Sequence, residues 1–287
     1  MPDLTRKSSA QQEVSDHYGA VATRVATQTA ADGSATGSTT DGASDGAFKF
    51  YAESEYASVP TKACSASRGC GNPLSQVNLQ PGETVLDLGC GAGIDVLLAA
   101  AQVGAQGHIY GLDMTEQMLE LARLNAQEAD AQNVSFIHGF LENIPLPDGS
   151  VDVVTSNCVI NLCDDKSIVL KEAFRVLKAQ GRFIVADIVI DSSTIEHKQA
   201  QTLGVILGCT NGVLTKPEYT QLMQAAGFSQ VQIEVYKTYP SDLIAQKAAT
   251  REQIHLLDGF DPEQADHALG GAFISAVKGT PLPLGQP

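Results

Sequence analysis

Tryptophan is absent from the 287 residues, and aromatic residues of all kinds make up only 6%. Aromatic platforms are a principal means of holding unpaired bases, so little here serves that purpose. Positive charge is also scarce: 18 Lys and Arg stand against 33 Asp and Glu, a net charge of −15. Displacing counterions from polyphosphate needs cations, and so does adhering to an anionic lipid surface. Neither nucleic acid nor a membrane is therefore expected as a partner. No stretch approaches the roughly 18 or more apolar residues of a membrane span. The opening MPDLTRKSS is polar and leads into no apolar run, so no secretory signal is read there. The expectation is a soluble, cytoplasmic protein.

Zinc-type CxxC pairs are missing too, although six cysteines are present: Cys64, Cys70, Cys90, Cys158, Cys163 and Cys209. In a reducing compartment such thiols are expected to be buried, metal-binding or reactive rather than joined in a disulfide framework. The six histidines show no spacing typical of metal ligands, and no metal role is assigned to them.

What is present is regular alternation. A chain of this length can bury a core without metals or disulfides, in one large domain or two smaller ones. Gln11 to Ala26 reads as a polar helix. Thr29 to Ala47 holds only Ala, Gly, Ser, Thr and Asp, and reads as a flexible tether. From Pro81 onward, short apolar runs bounded by glycine predict strands at Thr84–Leu88, His108–Leu112, Val134–His138, Val151–Ser156 and Arg182–Ile190. Helical periodicity fills the gaps at Ile94–Gln102, Thr115–Asp130 and Lys166–Lys178. Two later β runs, Val231–Thr238 and Ala272–Val277, flank an apolar-poor helical insertion, Ser241–Leu269. Alternating strands and helices predict an α/β fold with a doubly wound parallel sheet. Three segments are expected: an N-terminal helix and linker (1–50), a ligand-binding core (51–190) and a C-terminal elaboration (191–287).

The first strand runs into VLDLGCGAG, where Gly89, Gly91 and Gly93 permit a tight turn and close approach of a ligand. A glycine-rich turn alone is weak evidence. The dinucleotide pattern GxGxxG fails at Ile94, and no GK[ST] ending marks a P-loop. Asp87 precedes the loop and Asp113 ends the second strand in GLDM, where a carboxylate can accept both ribose hydroxyls of a nucleoside. Glu142 falls where an adenine edge could lie. DLGCGAG, GLDM and LENIPLPDGSVDVV together resemble the class I S-adenosylmethionine-dependent methyltransferases. That resemblance implies a Rossmann-like sheet and a cofactor site comprising Asp87, Gly89, Gly91, Asp113, Met114, Glu142 and Asn157. The competing reading is a Rossmann-like domain that binds something else.

Cys70 in RGCGNP, Cys158 in SNCVINL and Cys209 in LGCTNGVL lie in three loops that could meet over one cleft. A single cysteine at a sheet edge is more often a small buried hydrophobe. Three of them form a soft-ligand constellation, and trigonal sulfur coordination suits trivalent arsenic. GCGNP, PGETVLDLGCGAGIDV, GLDMTEQML, NVSFIHGFLENIPLPD, SNCVINL and FRVLKAQGRFIVADIV resemble the arsenite methyltransferase family, from about Tyr51 to Phe228. VSDHYGAVA also looks like that family's entry helix. The resemblance implies arsenic detoxification by methyl transfer from S-adenosylmethionine to As(III) held by Cys70, Cys158 and Cys209. It also implies arsenite and methylarsenite as substrates, and glutathione or thioredoxin as reductant. Thiols of lowered pKa are expected at such a site.

The sequence departs from the family pattern in several places. Cysteines usual after the entry helix are replaced by the Ala/Gly/Ser/Thr segment. Cys64 stands in a stretch that reads as a loop and could serve instead as a resolving thiol for Cys70; equally, it could be an ordinary half-buried residue. Arg68 replaces a common aromatic residue. Cys90 stands where serine is common and reads as a loop filler, and Cys163 reads as a bystander at a helix start. The resemblance implies an additional C-terminal domain in longer members, most of which is not expected in this sequence. Two alternatives stay open: methylation of another acceptor, such as a small-molecule thiol, and a metalloid or zinc sensor with an idle cofactor site.

Overall fold

The computed structural model describes residues 7–27, 50–191, 195–258 and 261–279. The Thr29–Ala47 segment, read above as a tether, lies outside them. Helix α1 (Ser9–Thr27) is followed by two short helices, α2 (Glu53–Tyr56) and α3 (Thr61–Ala66). The alternating body then runs β1 (Thr84–Leu88), α4 (Ile94–Val103), β2 (His108–Asp113), α5 (Glu116–Glu128), β3 (Val134–His138), β4 (Val151–Asn157), α6 (Lys166–Val176) and β5 (Leu177–Ile190). The C-terminal part contributes α7 (His197–Leu207), β6 (Leu214–Thr215), α8 (Lys216–Ala226), β7 (Phe228–Thr238), α9 (Ser241–Thr250), α10 (Pro262–Ala265) and β8 (Leu269–Lys278).

All the strands join one sheet in the order β3-β2-β1-β4-β5-β8-β7, with β6 paired to β5. The strands from β3 to β5 run parallel, and β8 and β7 close the edge antiparallel. Because β1 sits between β2 and β4, the order reverses there, and the two flanking crossovers open a crevice at the carboxyl ends of the strands. Two apolar layers sandwich the sheet. On one face Leu86, Leu88 and Val154 meet Val169 and Leu170 of α6; on the other Val85, Ile109 and Val153 meet Val96 and Leu97 of α4. A fully buried Leu or Val contributes about 1.5–3 kcal/mol, so these layers dominate the stability of the sheet. Helix α1 docks on the body through Val21, Ala22 and Val25, which pack against Met118 and Leu121 of α5.

Several boundaries differ from the sequence pattern, and two regions carry the main differences. The helical period through Lys178 stops at Val176, because Leu177 already pairs with Val151 of β4. A bulge containing Gln180, at φ 63°, separates that pair from the Val153–Arg182 register. The stretch Ser241–Leu269 is not one helical insertion. It breaks after α9 into a 3-10 turn, Ile254–Leu257, and α10, and Leu269 itself opens β8. With few apolar residues to anchor it, this stretch has no continuous face that a long helix could bury.

Candidate active site

The turn after β1 is shaped by left-handed backbone. Gly89, Gly91 and Gly93 have φ of 68°, 51° and 88°. A side chain at Gly89 would collide with Val159, 2.5 Å away, whereas the space beside Gly91 is open. Gly91 is thus where a ligand can lie against bare backbone. Asp113, at the end of β2, is buried; its Oδ2 accepts from Gly91 N at 2.9 Å and its Oδ1 from Thr115 N at 2.9 Å. One carboxylate therefore holds both the glycine turn and the start of α5, and keeps lone pairs for a ligand.

Asp87 is buried at the end of β1 and accepts from Thr155 Oγ1 at 3.0 Å. Burial, then the neighbouring Asp95 carboxylate, pushes its pKa well above the ordinary carboxylate range. Asp95, in the first turn of α4, is pushed up to about 6 by burial, against hydrogen bonds from Tyr51 and Asn157. Asp113 is raised by burial as well. Three buried carboxylates lining one crevice are mutually costly, and a ligand bearing positive charge would relieve them. Glu142 is also buried, lines the same crevice and accepts from Gln11 Nε2 of α1 at 3.1 Å. Helix α1 closes over the crevice through Gln11, Val14 and Tyr18, and Met114 and Asn157 line it from the body.

The cysteines lie at the C-terminal side of the crevice. Cys158 follows β4 at φ 59°, a left-handed conformation costly for a side-chain-bearing residue, and its N–H donates to Ala186 O at 2.8 Å. It lines the crevice and is joined by a disulfide to Cys70, with a Cα–Cα separation of 5.8 Å. This one pair stands apart from the expectation of thiols rather than a disulfide framework: the loop of Cys70 is pinned against the end of β4, which brings the two sulfurs together. Cys209 follows α7, which Gly208 ends at φ 102°, and is buried and free. Its Sγ is in hydrogen-bonding range of Asn161 Nδ2, 3.8 Å away, and that amide also donates to Asp187 Oδ1 at 2.8 Å. Cys70, Cys158, Cys209 and Asp187 thus share one corner of the molecule. The tightest group among the described residues is Cys70, Cys158 and Asp187, whose donor atoms lie within 4.8 Å of one another.

The expectation of lowered thiol pKa also needs correcting at Cys209. Burial, and next the Asp187 carboxylate, push the Cys209 thiol up, with the Asn161 amide opposing them. Burial does the same to Cys64, Cys90 and Cys163. Cys64 is not in a loop but within α3, its Sγ directed at Tyr56 O, 3.9 Å away. Cys90 and Cys163 are buried and border the crevice.

Several residues at the site escaped the sequence pattern. Tyr51 and Asp95 were hidden because their 2.8 Å hydrogen bond joins chain segments far apart. Asp187 did carry a signal, a lone acid in the apolar run FIVADIVI. Burial pushes its pKa up to about 7.

Such a crevice, with its glycine turn and carboxylates at the sheet's switch point, defines a class I methyltransferase. Residues 79–227, just over half of the chain, match the family described as a methyltransferase domain. The YcgJ protein of Bacillus subtilis shares the fold at a TM-score of 0.60 and 22% identity, over 72% of this chain and 96% of its own. Closer in sequence is an arsenic(III) S-adenosylmethionine methyltransferase of Chlamydomonas reinhardtii, with 30% identity and a TM-score of 0.61 over 80% of this chain and 73% of that one. The arsenite methyltransferase of Halobacterium salinarum is 41% identical over 183 residues, 64% of this chain and 46% of that protein. The human arsenite methyltransferase is 38% identical over 154 residues, 50% of this chain and 40% of that protein. The chain belongs to the arsenite methyltransferase family. It spans about half the length of the curated relatives it matches. Among the described residues no helix is long and apolar enough to cross a membrane.

Proposed function

We propose that this chain methylates trivalent arsenic, converting arsenite to methylated arsenicals with S-adenosylmethionine as methyl donor. One observation carries the reading: Cys158 lines the same crevice as Asp87, Asp113 and Glu142, bonded to Cys70 and close in the fold to Cys209. The crevice suits this cofactor chemically. Its buried carboxylates complement sulfonium and ammonium charges, and the space beside Gly91 admits a ligand.

In this reading Asp113 accepts the ribose hydroxyls, Glu142 meets the adenine edge, and Asp87, Gly89, Gly91, Met114 and Asn157 complete the cofactor site. Cys70, Cys158 and Cys209 hold arsenic once a thiol reductant has opened the Cys70–Cys158 bond. Three sulfurs around As(III) leave its lone pair as the nucleophile, so the chain needs no general base at arsenic. When bound, S-adenosylmethionine supplies the electrophilic methyl group. The residues act mainly by holding arsenic in line, and alignment of this kind can be worth ~7–11 kcal/mol. Transfer formally oxidises arsenic, so glutathione or a thioredoxin-type dithiol is the implied reductant. The proposal sets the reaction in the cytoplasm, where thiols are kept reduced. It assigns residues 51–190 to cofactor binding and 191–287 to closing the arsenic site, with 1–50 as an entry arm.

Arsenic speciation after incubation with arsenite, S-adenosylmethionine and glutathione tests the proposal. Methylarsenicals should accumulate together with arsenite-dependent S-adenosylhomocysteine. Cofactor turnover that ignores arsenite, or proceeds only with a small-molecule thiol as acceptor, would assign another substrate.

A further inference from the structure

Asp187 has an unusual position for a carboxylate. It lies near the carboxyl end of β5, 1% exposed, with apolar Ala186 and Ile188 on either side. Its Oδ1 accepts from Asn161 Nδ2 at 2.8 Å and from Ile188 N at 2.9 Å. Its Oδ2 is buried without a partner, as is Asn161 Oδ1. An acceptor left unsatisfied in the interior costs about 1–3 kcal/mol. A carboxylate oxygen of Asp187 lies within 4.8 Å of the sulfurs of Cys70 and Cys158.

Resting on the arsenite reading above, we propose that Asp187 is a substrate-contacting residue: its free oxygen accepts a hydrogen bond from the hydroxyl that arsenic still carries while its sulfur ligands are being assembled. Reduction of the disulfide by two thiol equivalents gives both cysteines as thiols and the reductant as its own disulfide. Arsenous acid then exchanges hydroxyl for sulfur at each cysteine. An As–S bond forms, an As–O bond breaks, the thiol proton departs with the hydroxyl as water, and arsenic stays trivalent. A hydroxyl anchored beside Cys70 and Cys158 stays where each thiol proton can reach it. Asn161, bound to the other oxygen of the same carboxylate, keeps Cys209 next to that group as the remaining thiol.

This role requires arsenic that bears hydroxyl groups. Arsenic triglutathione has none and enters by exchange of one thiol for another. The test therefore measures arsenic capture by the pre-reduced full-length chain without cofactor, offering arsenite and arsenic triglutathione separately, in wild type, Asp187→Asn and Asp187→Ala. Melting temperature and S-adenosylmethionine affinity serve as controls. The nearly isosteric Asp187→Asn tests the role if Asp187→Ala fails to fold. Arsenite capture should slow at least about tenfold in Asp187→Asn, as expected for a lost charged hydrogen bond, while capture from arsenic triglutathione stays near wild type. Equal slowing with both donors, or none with either, would overturn the assignment. Failure of the wild type to capture either form would instead count against arsenite as the substrate.

Discussion

The side chain of Asn157 grips the backbone of the Cys70 loop. Its Oδ1 accepts from Cys70 N at 2.9 Å and from Gly71 N at 3.2 Å, and its Nδ2 donates to Gly71 O at 2.8 Å. The same Nδ2 lies 3.1 Å from Tyr51 Oη and 3.2 Å from Asp95 Oδ2. The residue that lines the crevice thus also fixes the loop bearing a sulfur ligand, and Gly69 allows the approach. A Cβ there would stand 2.4 Å from Asn157 Nδ2. On the opposite side, Tyr236 Oη donates to Cys70 O.

Asn157→Ala should therefore damage two sites at once. It strands the N–H groups of Cys70 and Gly71, and each buried group left unpaired costs about 1–3 kcal/mol. Chemical denaturation should show that loss, and cofactor affinity and arsenic capture should fall together. Gly69→Ala should reproduce the arsenic defect by pushing the loop away. Asn157→Ala with unchanged arsenic capture would mean that the loop holds itself.

Asp113→Ala should weaken S-adenosylmethionine binding at least about tenfold, since charged hydrogen bonds contribute ~1.5–3 kcal/mol each. The structure adds that the Gly91 and Thr115 N–H groups also lose their acceptor. Part of the defect should therefore appear as lower stability of the ligand-free chain. Titration calorimetry with parallel melting curves separates the two effects. Unchanged affinity would sink the cofactor assignment of this residue.

Asp95 makes stability depend on pH in a direction opposite to that of an ion-paired acid. Its folded pKa, about 6, lies above the ~3.9 of an unfolded Asp. Between those values the folded chain holds more protons, so the contribution of Asp95 falls as pH rises from about 4 to about 6 and levels off above, while Asp187, pushed up to about 7, carries the decline further. Asp87 and Asp113, raised by burial, act in the same sense. Asp95→Asn should flatten the decline, and melting temperatures across that window should record it. A decline as steep in the variant would assign the effect elsewhere.

Much of this was legible in the chain because local rules and tertiary structure agree there. Apolar runs that alternate with helical periods can bury both sheet faces in only one way, and the Gly89–Gly93 turn needs backbone that only glycine adopts freely. Asp113 was readable because strand-end acids have a chemical reason to be where they are. Asn161 and Asp187 were not read, because they act through partners brought together from the 3-10 turn after β4, from β5 and from the end of α7. The Cys70–Cys158 pairing was likewise hidden, since 88 residues separate the two. Lowered thiol pKa was the wrong expectation at Cys209 for a related reason: it followed from the need for thiolates at the ligand, and the fold surrounds this thiol with burial and a carboxylate.

The thiol inventory should mirror this pairing. Without reductant, denatured wild type should expose four titratable thiols, Cys64, Cys90, Cys163 and Cys209, with Cys70 and Cys158 recovered after reduction. Cys70→Ser frees Cys158 and should raise the unreduced count by one. The same substitution should abolish turnover of arsenite. If Cys70→Ser methylated arsenite at the wild-type rate, three-sulfur binding would be wrong.

Cys64 is the remaining thiol close to Cys70 in sequence, and a resolving role would require its sulfur to reach that cysteine. Its Sγ instead points to Tyr56 O from within α3, and the residue packs against the apolar layer containing Tyr51 and Ala63. Burial raises its pKa, which lowers the thiolate fraction available for attack on a disulfide or on arsenic. Cys70 already has a partner in Cys158, positioned by the Asn157 grip. Cys64→Ser should therefore leave both single-turnover methylation and repeated turnover at limiting glutathione unchanged. Its cost should be confined to stability, about 1–3 kcal/mol for placing a hydroxyl in a half-buried apolar setting. Counting methylarsenical formed per enzyme as dithiol is withdrawn is the decisive measurement. If turnover in Cys64→Ser becomes more dependent on added dithiol, then α3 must open during the cycle and deliver its thiol to Cys70.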